Sequence, residues 1–171
     1  DVTLLVNNAG VFHMTTLMTA PTMDDMRSEM EVNFFGTMSM CRAFAPIIES
    51  NGGGAIVNVL SAGGIVAVPN MGGYSPSKFA MRAASDCMRA ELRSKNIHVA
   101  ALIVGSVKTR MAAHIKNMKQ ALPRDIGKAG IIAVENNINE HDTDPHAVSV
   151  RAFLARDPHG LAESMAQRVA Q

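Results

Sequence analysis

The chain has 171 residues, of which 47% are apolar, 18% charged and 4% aromatic, and its formal net charge is +1. The apolar content is enough for one buried core and excludes a disordered protein, so we expect a single domain over residues 1–171. The near-neutral charge, without a cluster of Lys and Arg, argues against nucleic acid as the main partner. Since no apolar run approaches the roughly 20 residues of a bilayer span, we expect a cytoplasmic protein with no membrane span and no signal peptide.

The first predicted element is a buried parallel strand over residues 2–6, VTLLV. It ends in Asn7-Asn8-Ala9-Gly10, where small residues allow the chain to turn sharply. A helix is predicted next, with Thr22 as its N-cap and Asp25 three residues on. Pro46 is expected to kink or end this helix locally. Its apolar face has helical spacing and comprises Met26, Met30, Phe34, Met38 or Cys41, Ala45 and Ile48.

Two further strands follow the same pattern. Residues 55–60, AIVNVL, form the second predicted strand and lead into the small residues 61–64, SAGG. The loop to Gly73 is small and apolar, as is typical of a loop that borders a cleft. Residues 97–104 form the third predicted strand, which Gly105 ends. Each strand therefore ends at glycine and small side chains.

The second predicted helix lies between these two strands. Ser75 and Pro76 predict its N-cap and first helical position, and its apolar surface continues to about Asn96. The order is then strand, helix, strand, helix, strand. Such alternation predicts an α/β fold with a parallel sheet and right-handed crossovers.

Beyond the third strand the pattern weakens. Residues 108–137 are expected to form helix and loop over the sheet, Asp144-Pro145 opens a helix that runs to about Arg156, and residues 161–170 predict another. We expect residues 105–171 to include the substrate loop and the C-terminal helices.

Ligands of open parallel sheets bind outside the carboxyl ends of the strands, where loops diverge and helix N-termini present free N–H groups. Tyr74 and Lys78 are four residues apart at the start of the second helix, so both side chains project from one face. An ammonium near a phenol stabilises the phenolate and lowers the pKa of the tyrosine. Ser61, at a neighbouring strand end, could hydrogen-bond and polarise the same substrate oxygen.

Four ordered elements together resemble the short-chain dehydrogenase/reductase family. They are Asn7-Asn8-Ala9-Gly10, Asn33 within VNFFG, Ser61, and Tyr74-Ser75-Pro76-Ser77-Lys78, with thirteen positions from Ser61 to Tyr74. The resemblance covers roughly the first 110 residues. It implies a Rossmann-like, doubly wound parallel sheet, incomplete because the N-terminal strands are absent from this chain.

The resemblance also implies hydride transfer between NAD or NADP and an alcohol or ketone of moderate size. Tyr74 would be the general acid/base and Ser61 would orient the substrate oxygen, while Lys78 would lower the Tyr74 pKa and hold the nicotinamide ribose. Asn33 would anchor a water that links Lys78 to solvent. The residues implied to line the cofactor cleft, besides Tyr74 and Lys78, are Asn8, Ala9, Gly10, Gly105, Val107 and Thr109.

Two departures from the family pattern bear on this reading. No Gly-rich turn and no adenosine-recognising residue precede the Asn-Asn-Ala-Gly element, so we expect roughly 60–90 residues upstream. Residues 2–6 would then be an uncovered sheet edge, and the chain alone should aggregate and bind NAD(P)H poorly. No clear strand is predicted near the C-terminus, where residues 131–134, IIAV, are the nearest candidate.

Two alternatives stay open beside the oxidoreductase. One is a non-catalytic member that acts as a dimerisation or binding partner, and the other is an isomerase or epimerase of the same fold. The expected substrate pocket is apolar, bordered by residues 65–71. Met111, Ile115 and Met118 form either a lid over that pocket or ordinary core packing.

The remaining candidate features are assigned structural roles. Cys41 and Cys87 are 46 residues apart and are expected to be free, buried thiols. No two histidines in the C-terminal stretch are spaced i, i+4 on one helix, so no metal site is predicted. The helices that contain the two cysteines resemble the family's dimer-forming pair, which implies a homodimer or a homotetramer.

Overall fold

Four parallel strands form one sheet in the computed structural model, which describes residues 1–115 and 118–167. Leu5 pairs with Ile56, Ile56 pairs with Val99, and Leu102 pairs with His141. Because all pairs are parallel, the carboxyl ends of the strands lie at one edge. The strands, in their order across the sheet, are β1 (Leu4–Asn7), β2 (Gly54–Val59), β3 (Ile97–Ile103) and β4 (Glu140–Asp142).

Helices alternate with the strands as predicted, which confirms the Rossmann-like α/β fold. Between α1 and α2 the chain forms a π-helical segment, Glu31–Gly36, so the first predicted helix is one continuous helical stretch with a wider turn inside it. The helices are α1 (Asp24–Met30), α2 (Thr37–Ser50), α3 (Tyr74–Leu92), α4 (Pro123–Glu135), α5 (Pro145–Arg156) and α6 (Pro158–Ala166).

The sheet has a core on each face. On one face, Ile56, Val99 and Ile103 pack with buried side chains of α2, α3, α5 and α6, such as Ile48 and Met81. On the opposite face, a smaller cluster of Val57, Ala100, Leu102 and Ala133 includes a residue of α4. The second face is therefore covered over less of its area.

Strand β1 differs from the predicted buried strand. Leu5 and Asn7 are buried, but Leu4 is 39% exposed and Val6 is 52% exposed. The two exposed side chains alternate with the buried ones, so they share one face of the sheet. Strand β1 is an edge strand of the sheet, as expected.

The observed helix starts agree with one predicted N-cap and differ from two others. Asp144 caps α5 with Pro145 at the first position, as predicted. Thr22 is not the N-cap of α1: Met23 holds that position, although Thr22 Oγ1 accepts a 3.2 Å hydrogen bond from the Asp24 N–H. Ser75 is not the N-cap of α3: Gly73 holds that position, and the helix begins at Tyr74, two residues before the predicted start, while the Ser75 hydroxyl donates to the Gly63 carbonyl.

The structure also differs from the sequence predictions at Pro46, at residues 131–134 and at Cys87. Pro46 does not end α2, which continues to Ser50. Residues 131–134 belong to α4, while the unpredicted strand β4 pairs with β3. Cys41 is buried as expected, but Cys87 is exposed. The helix predicted over residues 161–170 is α6, which starts at Pro158; residues 168–170 of that prediction lie outside the described residues.

Within residues 1–115 and 118–167, no helix is long and apolar enough to cross a bilayer. Over the same part of the chain, no group of three or more His, Cys, Asp or Glu side chains could hold a metal ion.

Candidate active site

The three predicted strand ends meet at a cavity of about 810 Å³. The cavity continues from the carboxyl edge of the sheet onto the face that α4 covers, where Val6 and Ile131 line it. Asn33 does not line the cavity but is buried beside it. The predicted site residues that do line it are Asn8, Ala9, Gly10, Ser61, Tyr74, Lys78, Gly105, Val107 and Thr109.

Tyr74 and Lys78 occupy the first turns of α3, which places both in the cavity wall. The Lys78 Nζ lies 5.6 Å from the centre of the Tyr74 ring and donates a 3.0 Å hydrogen bond to the Val59 carbonyl. The Phe12 ring packs on the Tyr74 ring with the centroids 5.0 Å apart. The phenol thus has a cation on one side and an aromatic ring on another.

The protonation of this pair follows from its burial. Burial raises the pKa of Tyr74 above its ordinary value, the Ser61 side chain opposes the rise as a hydrogen-bond partner, and the negative charge of Glu29 adds to it. Burial also lowers the pKa of Lys78 to about 8. The sequence predicted a Tyr74 pKa lowered by Lys78, and the structure shows the opposite net direction because desolvation dominates.

Ser61 is held at the end of β2 by the turn that follows it. Its Oγ accepts a 3.1 Å hydrogen bond from the Gly63 N–H at the start of the short 3-10 turn Ala62–Gly64. The Ser75 hydroxyl donates to the Gly63 carbonyl and joins this turn to α3. Ser61 and Tyr74 are therefore positioned relative to each other by two linked elements.

Asn33 supports the site from the π-helical segment between α1 and α2. Its side-chain Oδ1 accepts a 2.8 Å hydrogen bond from the Val11 N–H, and its Nδ2 donates to the Val11 carbonyl at 3.0 Å and to Ser77 Oγ at 3.1 Å. The amide therefore pins the loop after β1 to α3. Such π-helical turns are often found at functional sites. The water anchored by Asn33 stays a prediction.

The third strand end is built around Asp144. The Gly105 N–H donates a 2.7 Å hydrogen bond to Asp144 Oδ2, and a Cβ at position 105 would overlap Asp144 Oδ1. Val107 pairs with Ala121 in an isolated parallel β-bridge, which brings the two ends of the loop between them together. Thr109, two residues after Val107, lines the cavity.

Residues of the loop after Gly105 line the cavity, whereas the first residues of the expected pocket border do not. Met111 lines the cavity and is 43% exposed, and Met118 is 40% exposed, so neither is core packing. Ile65 and Val66, expected in the pocket border, are buried in the core instead. Lys116 and Asn117 of the same loop lie outside the described residues.

Two residues of the site were not found from the sequence. Phe12 gives no signal there because it stands in a loop whose path depends on Asn33. Glu29 is part of an acidic helix stretch that is typical of a solvated face, yet the structure buries it completely. Its burial depends on contacts across α1, α3 and the loop after β1, which no local pattern reports.

Residues 1–120 match the family model described as short chain dehydrogenase. The chain belongs to the short-chain dehydrogenase family. Among solved structures, a short chain dehydrogenase from Burkholderia cenocepacia J2315 in complex with NADP is 36% identical with a TM-score of 0.90, covering 96% of this chain and 69% of that one.

Two curated relatives of this family member show how much of a longer protein it matches. Human dehydrogenase/reductase SDR family member 9 is 34% identical over 118 residues, which is 69% of this chain and 36% of the relative. A 3-ketodihydrosphingosine reductase from Bacteroides thetaiotaomicron is 35% identical over 106 residues, which is 62% of this chain and 39% of the relative. The matched part of the chain thus covers less than half the length of these relatives.

Proposed function

We propose that this chain carries the catalytic part of an NAD(P)-dependent oxidoreductase that interconverts an alcohol and a ketone or aldehyde. The observation that carries the proposal is the convergence of Tyr74, Ser61 and Lys78 on one cavity. A phenol, a hydroxyl and an ammonium in one wall can exchange a proton with a substrate oxygen and hold it. Family membership and the NADP bound to the Burkholderia cenocepacia relative support the proposal.

The residues of the cavity fit the nicotinamide end of such a cofactor. Asn8, Ala9 and Gly10 leave the backbone accessible, and Val107 and Thr109 continue the same wall. The ammonium of Lys78 has three donors, of which one goes to the Val59 carbonyl. The others are available for the ribose hydroxyls of the bound cofactor, NAD or NADP.

The bound cofactor would supply or accept the hydride. In the reducing direction, Tyr74 donates its phenolic proton to the substrate carbonyl oxygen, and Ser61 hydrogen-bonds that oxygen and polarises it. In the oxidising direction the phenolate removes the hydroxyl proton. Asn33 acts through Val11 and Ser77 by holding the loop and helix that frame the cavity.

The substrate side supports a moderately sized, apolar alcohol or ketone. Phe12 covers one side of Tyr74, and Met111 lies in the cavity wall next to Thr109. An apolar surround with a few convergent polar groups is typical of a small-molecule site.

Substitution of Tyr74 by Phe tests the assignment of the acid/base. The ring keeps its packing on Phe12 while the ionisable hydroxyl is lost, so we expect turnover in the active enzyme to fall by at least ~10²-fold. Turnover is measured with a panel of ketones and alcohols, and cofactor binding is measured by nicotinamide fluorescence.

The controls separate the alternatives. Near-normal turnover by the Tyr74→Phe variant would rule out its role. Cofactor binding by the unmodified protein without turnover on any panel member would favour the non-catalytic alternative. Isomerised product without net oxidation or reduction would favour an isomerase or epimerase.

A further inference from the structure

Glu29 is a buried carboxylate that the proposed chemistry does not use. It lies in α1 and is 0% exposed. Its Oε1 accepts a 2.8 Å hydrogen bond from the backbone N–H of His13, while its Oε2 is buried without a hydrogen-bond partner in the described part of the chain. A buried, half-satisfied carboxylate is costly, so its presence calls for a use of the charge.

The carboxylate rests against the residue that precedes Tyr74. A Cβ at Gly73 would lie 2.6 Å from Glu29 Oε2 and 2.6 Å from the Cα of Met26. Only glycine permits this approach, because the Met26 backbone cannot move aside as a flexible side chain could. Helix α1 therefore packs its Glu29 directly on the start of α3, where Tyr74 is the first residue.

Other charged groups lie around the phenol, and Arg110 lines the same cavity. Lys78, on the next turn of α3, holds its ammonium 5.6 Å from the centre of the Tyr74 ring. From the loops, His114 contacts the far side of Phe12, with ring centroids 6.0 Å apart. His13 and Asp25 face each other at 3.8 Å on the partly exposed side of α1. Glu29 is the buried acidic residue of this set. Burial is the larger cause of the raised pKa of Tyr74, and the negative charge of Glu29 raises it further.

We propose that Glu29 is a positioning residue for Tyr74, whose buried negative charge disfavours the phenolate and sets the site to donate a proton. The inference rests on the proposed function and gives it a direction, reduction of a carbonyl near neutral pH. In that reaction the hydride of a reduced nicotinamide adds to the carbonyl carbon while the proton of Tyr74 passes to the oxygen. Oxidation of an alcohol needs the phenolate, which forms only at higher pH.

Tyr74 can be titrated directly because it is the only tyrosine of the chain, which contains no Trp. The near-ultraviolet absorbance of tyrosinate therefore reports this one group in the 171-residue chain, without cofactor or turnover, in samples that light scattering shows to be free of aggregates. Glu29→Gln removes the charge and keeps the shape. We expect the midpoint to move to lower pH, so that the phenolate fraction at a fixed pH below the midpoint rises about threefold.

Asp25→Asn is the matched control, since it removes the same charge from the same helix at a side chain that is 52% exposed. We expect its midpoint to equal that of the unmodified chain, because solvent screens an exposed charge. Glu29→Asp retains the charge and should leave the midpoint closer to the unmodified value than Glu29→Gln does. Circular dichroism at each pH checks that every variant is folded.

Three results would overturn the proposal. The first is a folded Glu29→Gln variant with an unchanged midpoint, and the second is a Glu29→Asp shift as large as that of Glu29→Gln, which would indicate packing and not charge. If Glu29→Gln does not fold, the ¹³C carboxyl resonance of Glu29 in the unmodified chain tests the proposal instead. The third overturning result is a resonance that shows a protonated Glu29 carboxyl at neutral pH. Each of these leaves the Tyr74→Phe turnover test unaffected, so the two proposals fail separately.

Discussion

The positive charge of Lys78 depends on pH because its ammonium is buried and has few hydrogen-bond partners among the described residues. Its ammonium is buried, and burial lowers its pKa to about 8, far below the ordinary value for lysine. Its one protein hydrogen bond among the described residues is to the Val59 carbonyl, at 3.0 Å. The proposed contact to the cofactor ribose therefore depends on a proton that is lost within the range of ordinary buffers.

Lys78→Met is expected to weaken cofactor binding and to slow turnover, because both the donors and the positive charge are lost. Nicotinamide fluorescence titration measures the first effect and steady-state kinetics the second. Lys95→Met is the control, since Lys95 forms an exposed ion pair with Glu49 away from the cavity. Unchanged cofactor affinity in Lys78→Met would remove the ribose contact from the proposal.

The pH dependence of binding follows from the same lowered pKa. Below about pH 8 Lys78 is charged and can donate to the ribose; above it the amine is neutral and the charge-assisted contact weakens. We expect cofactor affinity to fall as the pH rises through about 8 in the unmodified enzyme, and to be flat over this range in Lys78→Met. A fall of equal size in both proteins would contradict the assignment to Lys78.

Among the secondary-structure elements, Asp144 connects the end of β3 to the start of α5. Its Oδ2 accepts the Gly105 N–H at 2.7 Å, and its Oδ1 accepts the N–H groups of His146 at 3.0 Å and Ala147 at 3.2 Å. The side chain is buried, so these donors have no solvent to replace it. One carboxylate thus caps a helix and closes a strand end of the cavity.

Asp144→Ala is expected to lower the free energy of unfolding by about 2 to 3 kcal/mol, the loss of a cap together with a buried charged acceptor. Denaturant unfolding measures it. Asp157→Ala removes the cap of α6, whose Gly160 N–H bond is 2.8 Å long and exposed, and should cost only about 1 kcal/mol. Equal costs for the two caps would show that the link to Gly105 adds no stability.

At the scale of the whole molecule, α2 and α3 present an exposed apolar surface. Phe79 is 37% exposed, and Ala83, Cys87 and Ala90 continue its stripe along α3 at helical spacing. On α2, Met40 and Ile47 are also exposed. We propose that this surface forms the two-fold interface of a homodimer, alone or within a homotetramer.

Ala83→Arg places a charge in the middle of the α3 stripe and is expected to yield a monomer, because an unpaired charge in an apolar interface is costly. Light scattering at micromolar concentration measures the mass. Ala162→Arg, at an exposed position of α6, is the control and should not change it. A dimer that survives Ala83→Arg would place the interface elsewhere, and a monomeric unmodified chain would exclude it.

The sequence by itself determined the strand ends, the alternation of strands and helices, and the cap of α5. These features depend on neighbouring residues: apolar runs that lead into small residues and glycine predicted β1, β2 and β3 to within one or two residues, and Asp144-Pro145 marked the start of α5. The ordered Asn-Asn-Ala-Gly, Ser and Tyr-x-x-x-Lys elements predicted residues of the cavity wall, because they too are visible in the local sequence. Parallel strands bring their carboxyl ends to one edge, so order along the chain becomes proximity in space.

Only the tertiary structure decided features that depend on distant partners. Strand β4, EHD, has no apolar pattern; it pairs with β3, and its Glu140 and Asp142 are held by Arg82 and Arg151. The burial of Glu29 and the raised pKa of Tyr74 likewise arise where α1 meets the start of α3. A local sequence shows which groups can carry charge, but desolvation and the distance between charges set their pKa values, and both are properties of the folded chain.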